Sequence, residues 1–524
     1  MRSHLNPHTP LLRKLVRVLR GASVPQRDGL SRRQFLAKSA VGLAGTLIAA
    51  GTGCVGIPRV PQETVAILGA GAAGLTAALR LIQAGAKVEL FEASHRIGGR
   101  IFTQDNFIPA ELNDGQPMFC ELGGELVDSN HRDLIDLAHE LGLEIQELKK
   151  DDFGVEYYYF EGKIRTDKDL VPAFEFLAKQ LAQDAEELTD KGKNYTEKAK
   201  QFDRISIDDY LQSFTGKVEP WVLRLLDVAY EIEYGRATQE QSALNLITYL
   251  SPDTKDGFKM FGDSDESKRV KGGNSRLIEA LEKAIAGKVT IHRQHKLTAI
   301  ATAPGDKLQL TFDTPDGDKE FTHSKTICAL PFTMLRDGRI AGIETIGLSE
   351  EKLKAIRELG YGNNTKAMIG FKSRRWRQAD PVNNGTTYSD QSFQNCWETS
   401  RKQEGPAGVL TNYLGGKTAV DAAPGTRFEA TLKELDQIFP GAEAAYLGKR
   451  VMMHWPSQEF IRGSYTCPLI GQFTTVLTHC ATPELEGRLL FAGEHTSADF
   501  SGFMCGAIQS GNRAAKEAMG LIPV

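Results

Sequence analysis

The sequence predicts an α/β fold in which separated parts of the chain build one parallel sheet and a second, mixed α+β domain. Three observations lead to this prediction. Residues 65–92 alternate strand, helix and strand patterns around a glycine-rich turn, residues 289–330 return to strand composition, and residues 489–518 give an apolar strand, a glycine turn and a helix. Strands that alternate with helices are typical of parallel sheets. The 524 residues also exceed one ordinary hydrophobic core, which favours two domains.

The first segment has the residue pattern of a βαβ unit. An apolar strand pattern from Val65 to Leu68 precedes the glycine turn, a helical pattern continues to about Ala84, and a second strand pattern runs from Val88 to Phe91. The glycines have G-x-G-x-x-G spacing, and an acid ends the second strand. This combination predicts dinucleotide binding, with the pyrophosphate at the helix N-terminus. The predicted cofactor-binding residues of this unit are Gly69, Gly71, Ala73, Gly74 and Glu92.

The glycines and the acid have separate roles in that prediction. Gly69 permits the tight turn, Gly71 lets the backbone approach the pyrophosphate, and Gly74 lets the helix pack closely on the strand. The Glu92 carboxylate accepts hydrogen bonds from a ribose, which favours a free 2′-hydroxyl over a 2′-phosphate.

The turn that follows Glu92 indicates which dinucleotide is bound. Arg96, Gly99 and Arg100 belong to an Arg-Ile-Gly-Gly-Arg turn, and two arginines there suit a pyrophosphate because guanidinium groups are planar, multidentate donors. Here the chain resembles the flavin amine oxidase superfamily of monoamine, polyamine and L-amino-acid oxidases, which carries this turn directly after its first βαβ unit. The resemblance covers nearly all of residues 61–524 and implies FAD as the cofactor.

The resemblance also implies how the domains are arranged. A Rossmann-like FAD-binding domain (GR2-type) is expected to be interleaved with a mixed α+β substrate domain. The sections expected in the FAD-binding domain are residues 61–135, 266–340 and 456–524, and those expected in the substrate domain are residues 136–265 and 341–455.

Further motifs in the family's order imply more FAD contacts. A Gly-Gly turn, residues 123–124, resembles the family's segment beside the flavin. Leu297 follows the strand that begins at residue 289 and matches the position whose backbone contacts the adenine in the family. Near the C-terminus, a Gly-Glu turn and a second glycine turn precede the last helix, whose N-terminal amides are suited to stabilising an anionic reduced flavin. The FAD-binding residues implied by these motifs are Gly123, Gly124, Glu125, Leu297, Gly493, Glu494, Gly502, Phe503 and Met504.

Three residues are expected to take part in catalysis. Lys366 matches the lysine that, in relatives, holds a water against flavin N5, where an ammonium stabilises developing negative charge. Tyr465 and Phe503 match the two walls of an aromatic cage that aligns an amine. Ser464 stands where monoamine oxidases carry a flavin-linked cysteine, so the FAD is expected to be non-covalent. Trp455 and Phe393 are further candidates for the pocket wall.

The expected reaction is FAD-dependent oxidation of an amine by hydride transfer from the α-carbon to flavin N5, followed by hydrolysis of the imine. Amino-acid oxidases of the resembled family carry an arginine for the substrate carboxylate where this chain has Leu126. Glu125 and Asp128 either draw a cationic substrate inward or are ordinary solvated acids. The electron acceptor is dioxygen or a membrane quinone.

Three alternatives stay open. The first is an L-amino-acid oxidase or dehydrogenase, for a basic amino acid such as arginine or lysine, with Arg462 holding the carboxylate. The second is a desaturase or protoporphyrinogen-oxidase type, which shares the first motif but generally lacks the pattern of Lys366 and Tyr465. The third is a flavoprotein without enzymatic activity.

The N-terminus has the pattern of an export signal. Ser-Arg-Arg-Gln-Phe-Leu at residues 31–36 matches a twin-arginine signal, and the apolar run at residues 40–50 is too short to span a bilayer, which needs roughly 20 residues. Cys54 follows in a context that resembles a lipoprotein cleavage box. We therefore expect residues 1–54 to be a signal segment and the protein to be periplasmic, or tethered through Cys54 to the outer side of the inner membrane.

The net charge and the cysteine content limit the classes of partner and ligand that the sequence predicts. The first 54 residues hold nine Lys or Arg and one Asp, which leaves 54 basic and 66 acidic residues and a net charge of −12 for the rest. This acidic balance argues against nucleic acid as a partner. Six cysteines remain without a C-x-x-C pair, so no metal site is predicted and buried or free thiols are expected. The oligomeric state is left open, with a homodimer as one possibility.

Overall fold

The computed structural model describes residues 61, 63–148, 151, 154–190, 194–248, 266–421 and 424–522. The expected signal segment, residues 1–54, lies outside the described residues. Among the residues that are described, no helix combines the length and the apolar character that a bilayer crossing requires. The six cysteines after Cys54 are all buried and free, as expected.

A five-stranded sheet, parallel throughout, forms the centre of one half of the molecule, which confirms the predicted parallel α/β architecture. Its strands come from four separate parts of the chain, so the sheet is complete only when segments far apart in sequence have come together. The order of strands across the sheet is Thr290–His292, Val88–Phe91, Val65–Leu68, Lys325–Cys328 and Leu489–Phe491.

Helices cover one face of this sheet. The helix Ala72–Gln83 follows the glycine turn as predicted and packs closely on the C-terminal helix Met504–Ala518. The approach is close because a Cβ built on Gly511 would lie 2.4 Å from the Ala73 carbonyl oxygen. The helix Ser275–Ile285 packs beside them, and together they cover the strand residues Val65 and Ile67.

An antiparallel sheet of three strands covers the opposite face. Its strands are Lys296–Ala303, Lys307–Asp313 and Lys319–His323. A turn at Gly317 joins the second and third strands, and this glycine has a φ of +95°, which residues with a Cβ rarely adopt. Ala66, Leu68 and Phe91 of the parallel sheet, which alternate with the helix-facing positions, pack here.

The other half of the molecule is built on a seven-stranded mixed sheet. Neighbouring strands are antiparallel except for one parallel pair, which joins residues 155–160 to residues 383–389. The order of strands is Tyr446–His454, Thr365–Phe371, Gly408–Leu414, Asn395–Glu398, Asn383–Ser389, Val155–Phe160 and Lys163–Arg165.

Helices pack on both faces of this second sheet. Asp167–Glu186 and Pro220–Tyr234 bury their apolar sides on one face, and Pro424–Ile438 covers the other. The remaining helices are Arg132–Glu140, Glu197–Asp203, Ile207–Gln212, Leu244–Ile247, Phe332–Leu335, Glu350–Glu358, Gly416–Val420 and Ala442–Ala445. The short strand pairs are Thr103–Ile108 with Met118–Glu121, Ile145–Glu147 with Lys268–Val270, and Thr189–Asp190 with Asn194–Tyr195.

Candidate active site

A cavity of about 600 Å³ lies between the two sheets and is lined by residues of both halves. A volume of this size is ordinary for a small-molecule or cofactor site. Every residue named above as a catalytic or cofactor-binding candidate lines it, with the exception of Gly74. The candidates that line the cavity are Gly69, Gly71, Ala73, Glu92, Arg96, Gly99, Arg100, Gly123, Gly124, Glu125, Leu297, Lys366, Tyr465, Gly493, Glu494, Gly502, Phe503 and Met504.

Gly74 lies behind the cavity wall, where the helix meets the strand. A Cβ on Gly74 would stand 2.0 Å from the Gly69 carbonyl oxygen and 3.2 Å from a methyl group of Ile67. A Cβ on Gly71, in contrast, would meet no protein atom within 4 Å. Gly69 itself has a φ of +97°. The geometry is therefore that of a tight turn whose middle glycine leaves open space towards the cavity.

The helix that begins after Gly71 presents unsatisfied amides to this space. No side chain caps its N-terminus, and its first turn holds no acidic residue. The same is true of the helix Met504–Ala518, which begins at the other side of the cavity. The first N–H groups of a helix lack intrahelical partners and carry partial positive charge, so both termini are suited to anionic groups of a ligand.

Glu92 and Arg96 are largely engaged in holding the turns around the cavity. The Glu92 carboxylate accepts hydrogen bonds from the Ala70 and Ser94 amides, both at 2.9 Å. Burial raises the pKa of Glu92, although these amides oppose the shift. The Arg96 guanidinium donates to three carbonyl oxygens of residues 97–101. A guanidinium has five N–H donors, so Arg96 retains capacity for a ligand.

Arg100 and Glu494 form an ion pair that joins distant loops. Their side chains meet at 2.8 Å, and Arg100 also donates to the Ser464 carbonyl oxygen at 2.7 Å. The other carboxylate oxygen of Glu494 accepts from the Thr466 hydroxyl at 2.9 Å and from the Gly502 amide at 2.7 Å. Glu494 therefore ties together three of the loops that line the cavity.

The Gly123–Gly124 turn leaves little room for side chains, and the backbone contact makes the requirement for glycine strictest at Gly123. A Cβ on Gly123 would lie 2.0 Å from the Arg100 carbonyl oxygen, and one on Gly124 would lie 2.8 Å from the Met504 side chain. The Asn274 side-chain amide donates at 2.9 Å to the carbonyl oxygens of both Gly124 and Glu125. The turn is thus held from three sides.

Lys366 and Glu125 form a buried ion pair next to this turn. The Lys366 Nζ lies 2.8 Å from a Glu125 carboxylate oxygen and 3.0 Å from the Gly123 carbonyl oxygen. The Thr399 hydroxyl donates to the second Glu125 oxygen. Burial raises the pKa of Glu125, but Lys366 and Thr399 lower it by more, so the pKa lies below its ordinary value.

The interpretation of Glu125 and Asp128 as solvated acids is wrong. The two residues are 6% and 1% exposed. Asp128 accepts a hydrogen bond from the Glu266 amide at 2.6 Å, and its own amide donates to His131 at 3.1 Å. A buried carboxylate needs partners because desolvation of an unpaired charge is costly, and both acids have them.

Aromatic side chains form one end of the cavity, which we call the aromatic end. The hydroxyl oxygens of Tyr465 and Tyr413 are 2.8 Å apart, and the Tyr465 hydroxyl contacts the Glu233 carbonyl oxygen. The Trp397 and Tyr413 rings meet edge to face at 5.3 Å. Lys366 lies here as well, with its Nζ 5.4 Å from the Trp397 ring centre.

Sequence reasoning found only part of this wall. Trp455 and Phe503 line the cavity, whereas Phe393 is fully buried in the core beside the helix Pro424–Ile438. Trp397 and Tyr413 also line the cavity and were not predicted from the sequence. Each occupies a central strand of the seven-stranded sheet and belongs to no motif, and only the alternation of side chains along a strand could have suggested that they share a face.

The described residues fit FAD and give no sign of a metal site. Open space at Gly71, two helix N-termini without capping side chains and a cavity lined from both sheets suit an extended dinucleotide. Within the same described ranges, no group of three or more His, Cys, Asp or Glu side chains is arranged to hold a metal ion.

Sequence comparison assigns the chain to a known family. Residues 72–519 match the family described as flavin containing amine oxidoreductase. The chain is 26% identical to the flavin-dependent L-tryptophan oxidase RebO of Lentzea aerocolonigenes, over 87% of this chain and 98% of that protein. It is 24% identical to nicotine dehydrogenase of Pseudomonas putida, over 94% and 98%. An L-amino-acid oxidase of Pseudechis australis is 25% identical, over 87% and 86%.

Solved structures with the same fold agree with this assignment. A triple mutant of putrescine oxidase superimposes with a TM-score of 0.72 at 21% identity, over 87% of this chain and 99% of that one. Cyclohexylamine oxidase from Brevibacterium oxydans also gives 0.72 at 21% identity, over 88% and 99%. With a family match that spans most of the chain and a cavity suited to the cofactor, this protein belongs to the flavin containing amine oxidoreductases, FAD-dependent enzymes that act on C–N bonds.

Proposed function

We propose that this protein oxidises an amine that lacks an α-carboxylate. A hydride equivalent leaves the carbon next to the nitrogen, the nitrogen-bearing product is an imine, and water converts it to a carbonyl compound and ammonia or a smaller amine. Bound FAD supplies the two-electron acceptor for this reaction. The observation that carries the proposal is the aromatic end of the cavity, where the cation that the structure describes, Lys366, is already paired with a carboxylate.

The cations around the cavity support an amine over an amino acid. A substrate carboxylate is usually bound by an arginine with free donors. Leu126 lines the cavity where amino-acid oxidases of the family carry such an arginine. Most described Lys and Arg side chains on the cavity wall already bind acids or carbonyl oxygens of the chain. These pairs are Arg96 with carbonyl oxygens of residues 97–101, Arg100 with Glu494, Lys296 with Glu459, Arg339 with Asp337 and Lys366 with Glu125.

The tyrosines of the aromatic end favour a neutral amine held between ring faces. Burial raises the pKa of Tyr465 and also that of Tyr413, so both hydroxyl groups stay protonated over the physiological range. Neither phenol can therefore serve as a base at neutral pH. Their contribution is apolar surface and orientation, which suits an amine that enters in its deprotonated form.

We also propose that the FAD is bound without a covalent bond. Ser464 stands where the covalent relatives have cysteine, and its hydroxyl donates to the Asn364 side chain at 2.6 Å. None of the six described cysteines lines the cavity. Acid precipitation should accordingly release all of the flavin into the supernatant, whereas flavin that stays in the pellet would contradict this part of the proposal.

We further propose that the protein is exported by the twin-arginine route. Its location is then the periplasm, either free or tethered to the inner membrane through a lipid on Cys54. This proposal rests on the signal pattern at residues 31–36. A membrane quinone then becomes as suitable an electron acceptor as dioxygen. Replacement of Arg32 and Arg33 by lysine should retain the full-length chain in the cytoplasm of a host with a twin-arginine system, and unaltered export would contradict it.

A second candidate is an L-amino-acid oxidase. Two of the relatives are oxidases of amino acids by name. Arg462, which is exposed at the cavity and donates only to the nearby Glu459 carbonyl oxygen among its described contacts, has guanidinium donors available for a carboxylate. This candidate predicts that amino acids are better substrates than the corresponding amines.

Anaerobic bleaching of the bound flavin distinguishes the two candidates. The substrates are matched pairs that differ only by the α-carboxylate: phenethylamine and phenylalanine, tryptamine and tryptophan, agmatine and arginine, cadaverine and lysine. The rate of flavin reduction is measured by stopped-flow absorbance. We expect the amine of the best pair to react at least tenfold faster. A faster amino acid would favour the second candidate, and bleaching by neither class would refute both.

A further inference from the structure

Lys366 has few partners besides Glu125. Its side chain is 5% exposed, and its ammonium contacts one carboxylate oxygen and one backbone carbonyl oxygen. In the seven-stranded sheet, Lys366 pairs with Tyr413 on one side and Met453 on the other. The strand therefore fixes the base of the side chain, while Glu125 and Gly123 fix its charged end beside the aromatic end of the cavity.

Glu125 is itself held in place by groups from three other segments. The Thr399 hydroxyl and the Lys366 ammonium each bind one carboxylate oxygen, and Asn274 binds the Glu125 carbonyl oxygen. Thr399 is in turn anchored through its carbonyl oxygen to the buried Arg269, at 2.8 Å. Both Glu125 oxygens are thus engaged within the protein, so a substrate ammonium would have to share them with Lys366 and Thr399.

The pair has a defined electrostatic consequence. A buried ammonium without a carboxylate is costly, so it either moves or loses its proton. Without Glu125, Lys366 would keep one neutral carbonyl oxygen as its partner. Other titratable groups near the pair include Glu121, Cys120, Arg269 and, on the neighbouring strand, Tyr413; none of these four is hydrogen-bonded to Lys366 among the described contacts.

We propose that Glu125 is a positioning residue that holds the Lys366 ammonium against the Gly123 carbonyl and cancels its charge at the aromatic end. The proposal rests on the proposed amine oxidation and adds to it a named residue that acts through Lys366. A neutral pair leaves the cavity without net charge beside the incoming nitrogen, which suits a neutral amine. It also means that Glu125 does not select cationic substrates.

The test uses Glu125→Gln in the full holoenzyme, with Glu121→Gln as the matched control. Glu121 is a buried carboxylate four residues earlier, bonded to Thr103 and to the Asn274 amide, and it does not line the cavity. We expect Glu125→Gln to slow anaerobic flavin reduction by the best amine at least tenfold and Glu121→Gln to leave the rate within twofold. Equal rates in wild type and Glu125→Gln would overturn the proposal, as would equal losses in both variants.

Two further readouts separate positioning from a general structural effect. Removal of an anion lowers the pKa of nearby nitrogens, including that of the bound amine. In the plot of flavin-reduction rate against pH, the fall in rate on the acidic side should therefore move about one pH unit lower in Glu125→Gln. In a Lys366→Met background, Glu125→Gln should cost no further rate, because its partner is gone. Two results would contradict a mechanism through Lys366. One is a double variant that is much slower than Lys366→Met alone, and the other is a Glu125→Gln rate that falls off at the same acidic pH as in wild type.

A measurement on the flavin-free protein tests the pair without catalysis. The folded-state pKa of Glu125 lies below its unfolded value, so its stabilising effect exists above the unfolded pKa and is lost as the pH falls. The difference in melting temperature between wild type and Glu125→Gln should therefore be large at pH 7 and shrink below pH ~4.5. Glu121, whose pKa burial raises to about 7, should give the opposite trend: wild type loses stability relative to Glu121→Gln as the pH rises to 7.

These outcomes keep the two proposals apart. If no amine bleaches wild-type flavin, the proposed function fails, while the melting comparison still tests the ion pair. If Glu125→Gln does not fold, Thr399→Val and Glu125→Asp replace it, since both keep the two charges: the first removes the Thr399 hydrogen bond to Glu125, and the second moves the carboxylate. We expect both to slow flavin reduction relative to wild type, and wild-type rates together with wild-type pH profiles in both would overturn the proposal.

Discussion

The two glycines Gly71 and Gly74 should respond to the same substitution in opposite ways. In Gly74→Ala the new methyl group would stand 2.0 Å from the Gly69 carbonyl oxygen, and real Cβ atoms essentially never approach within 3.0 Å of such an atom. The helix and strand must therefore part by about 1 Å. In Gly71→Ala the methyl group meets no protein atom within 4 Å and points into open space at the cavity.

The magnitudes follow from these contacts. Overpacking a buried site costs about 1–3 kcal/mol, and a clash with backbone belongs at the upper end. Alanine recovers up to ~1 kcal/mol of helix propensity, so we expect Gly74→Ala to lose about 2 kcal/mol of unfolding free energy. In Gly71→Ala, a poorer N-cap residue lowers the free energy of unfolding and a stiffer unfolded chain raises it. Each effect is below ~1 kcal/mol, and the two oppose each other. Its stability should stay within about 0.5 kcal/mol, while FAD affinity falls at least tenfold.

The assay measures both quantities on the same preparations. Urea unfolding of the flavin-free protein reports stability, and titration with FAD, followed by flavin fluorescence, reports affinity. A Gly71→Ala variant with wild-type FAD affinity would refute the idea that the pyrophosphate lies against this turn. A Gly74→Ala variant with wild-type stability would refute the packing argument.

Three further substitutions test other parts of the site and core. Leu126→Arg should raise kcat/KM for phenylalanine relative to phenethylamine at least tenfold, because it adds a carboxylate donor to the cavity wall; an unchanged ratio would show that Leu126 does not face the substrate. Lys366→Met should retain the flavin yet slow its reduction or reoxidation, and unchanged stopped-flow kinetics would remove Lys366 from the mechanism. Burial lowers the pKa of Lys352 to about 7, so the unfolded chain binds more protons between pH 7 and 10.5 and wild-type stability should rise across that window. Lys352→Met should abolish this rise and stabilise the protein at pH 7 by on the order of 1 kcal/mol in urea unfolding, and a persisting rise would contradict the assignment.

Local patterns predicted the nucleotide-binding sheet closely. The strand Val65–Leu68, the helix Ala72–Gln83 and the strand Val88–Phe91 lie where the sequence placed them, to within a residue. This succeeded because the turn chemistry and burial pattern that specify a βαβ unit act within about thirty residues. The βαβ pattern and the family resemblance together identified 18 residues that line the cavity, and most of these belong to short motifs with their own glycine or acid.

Interactions between distant segments could not be predicted in the same way. Glu125 and Lys366 are 241 residues apart, and no local pattern shows that one would bind the other. Trp397 and Tyr413 meet only through the register of two strands in the seven-stranded sheet. Phe393 was a plausible pocket residue by type, but its side chain points into the core. In each case the deciding factor is tertiary pairing, which one sequence does not reveal.

The position of the strand Leu489–Phe491 and the helix Met504–Ala518 has a consequence for biosynthesis. The first βαβ unit leaves the ribosome long before the edge strand beside residues 325–328 and the helix that packs on Ala73, which belong to residues 489–518. Domains usually fold in order of their emergence, but the parallel sheet stays incomplete at one edge until residues 489–518 have been synthesised. We therefore expect flavin to bind only after residues 489–518 have been synthesised, and a chain cut short before residue 489 should be colourless.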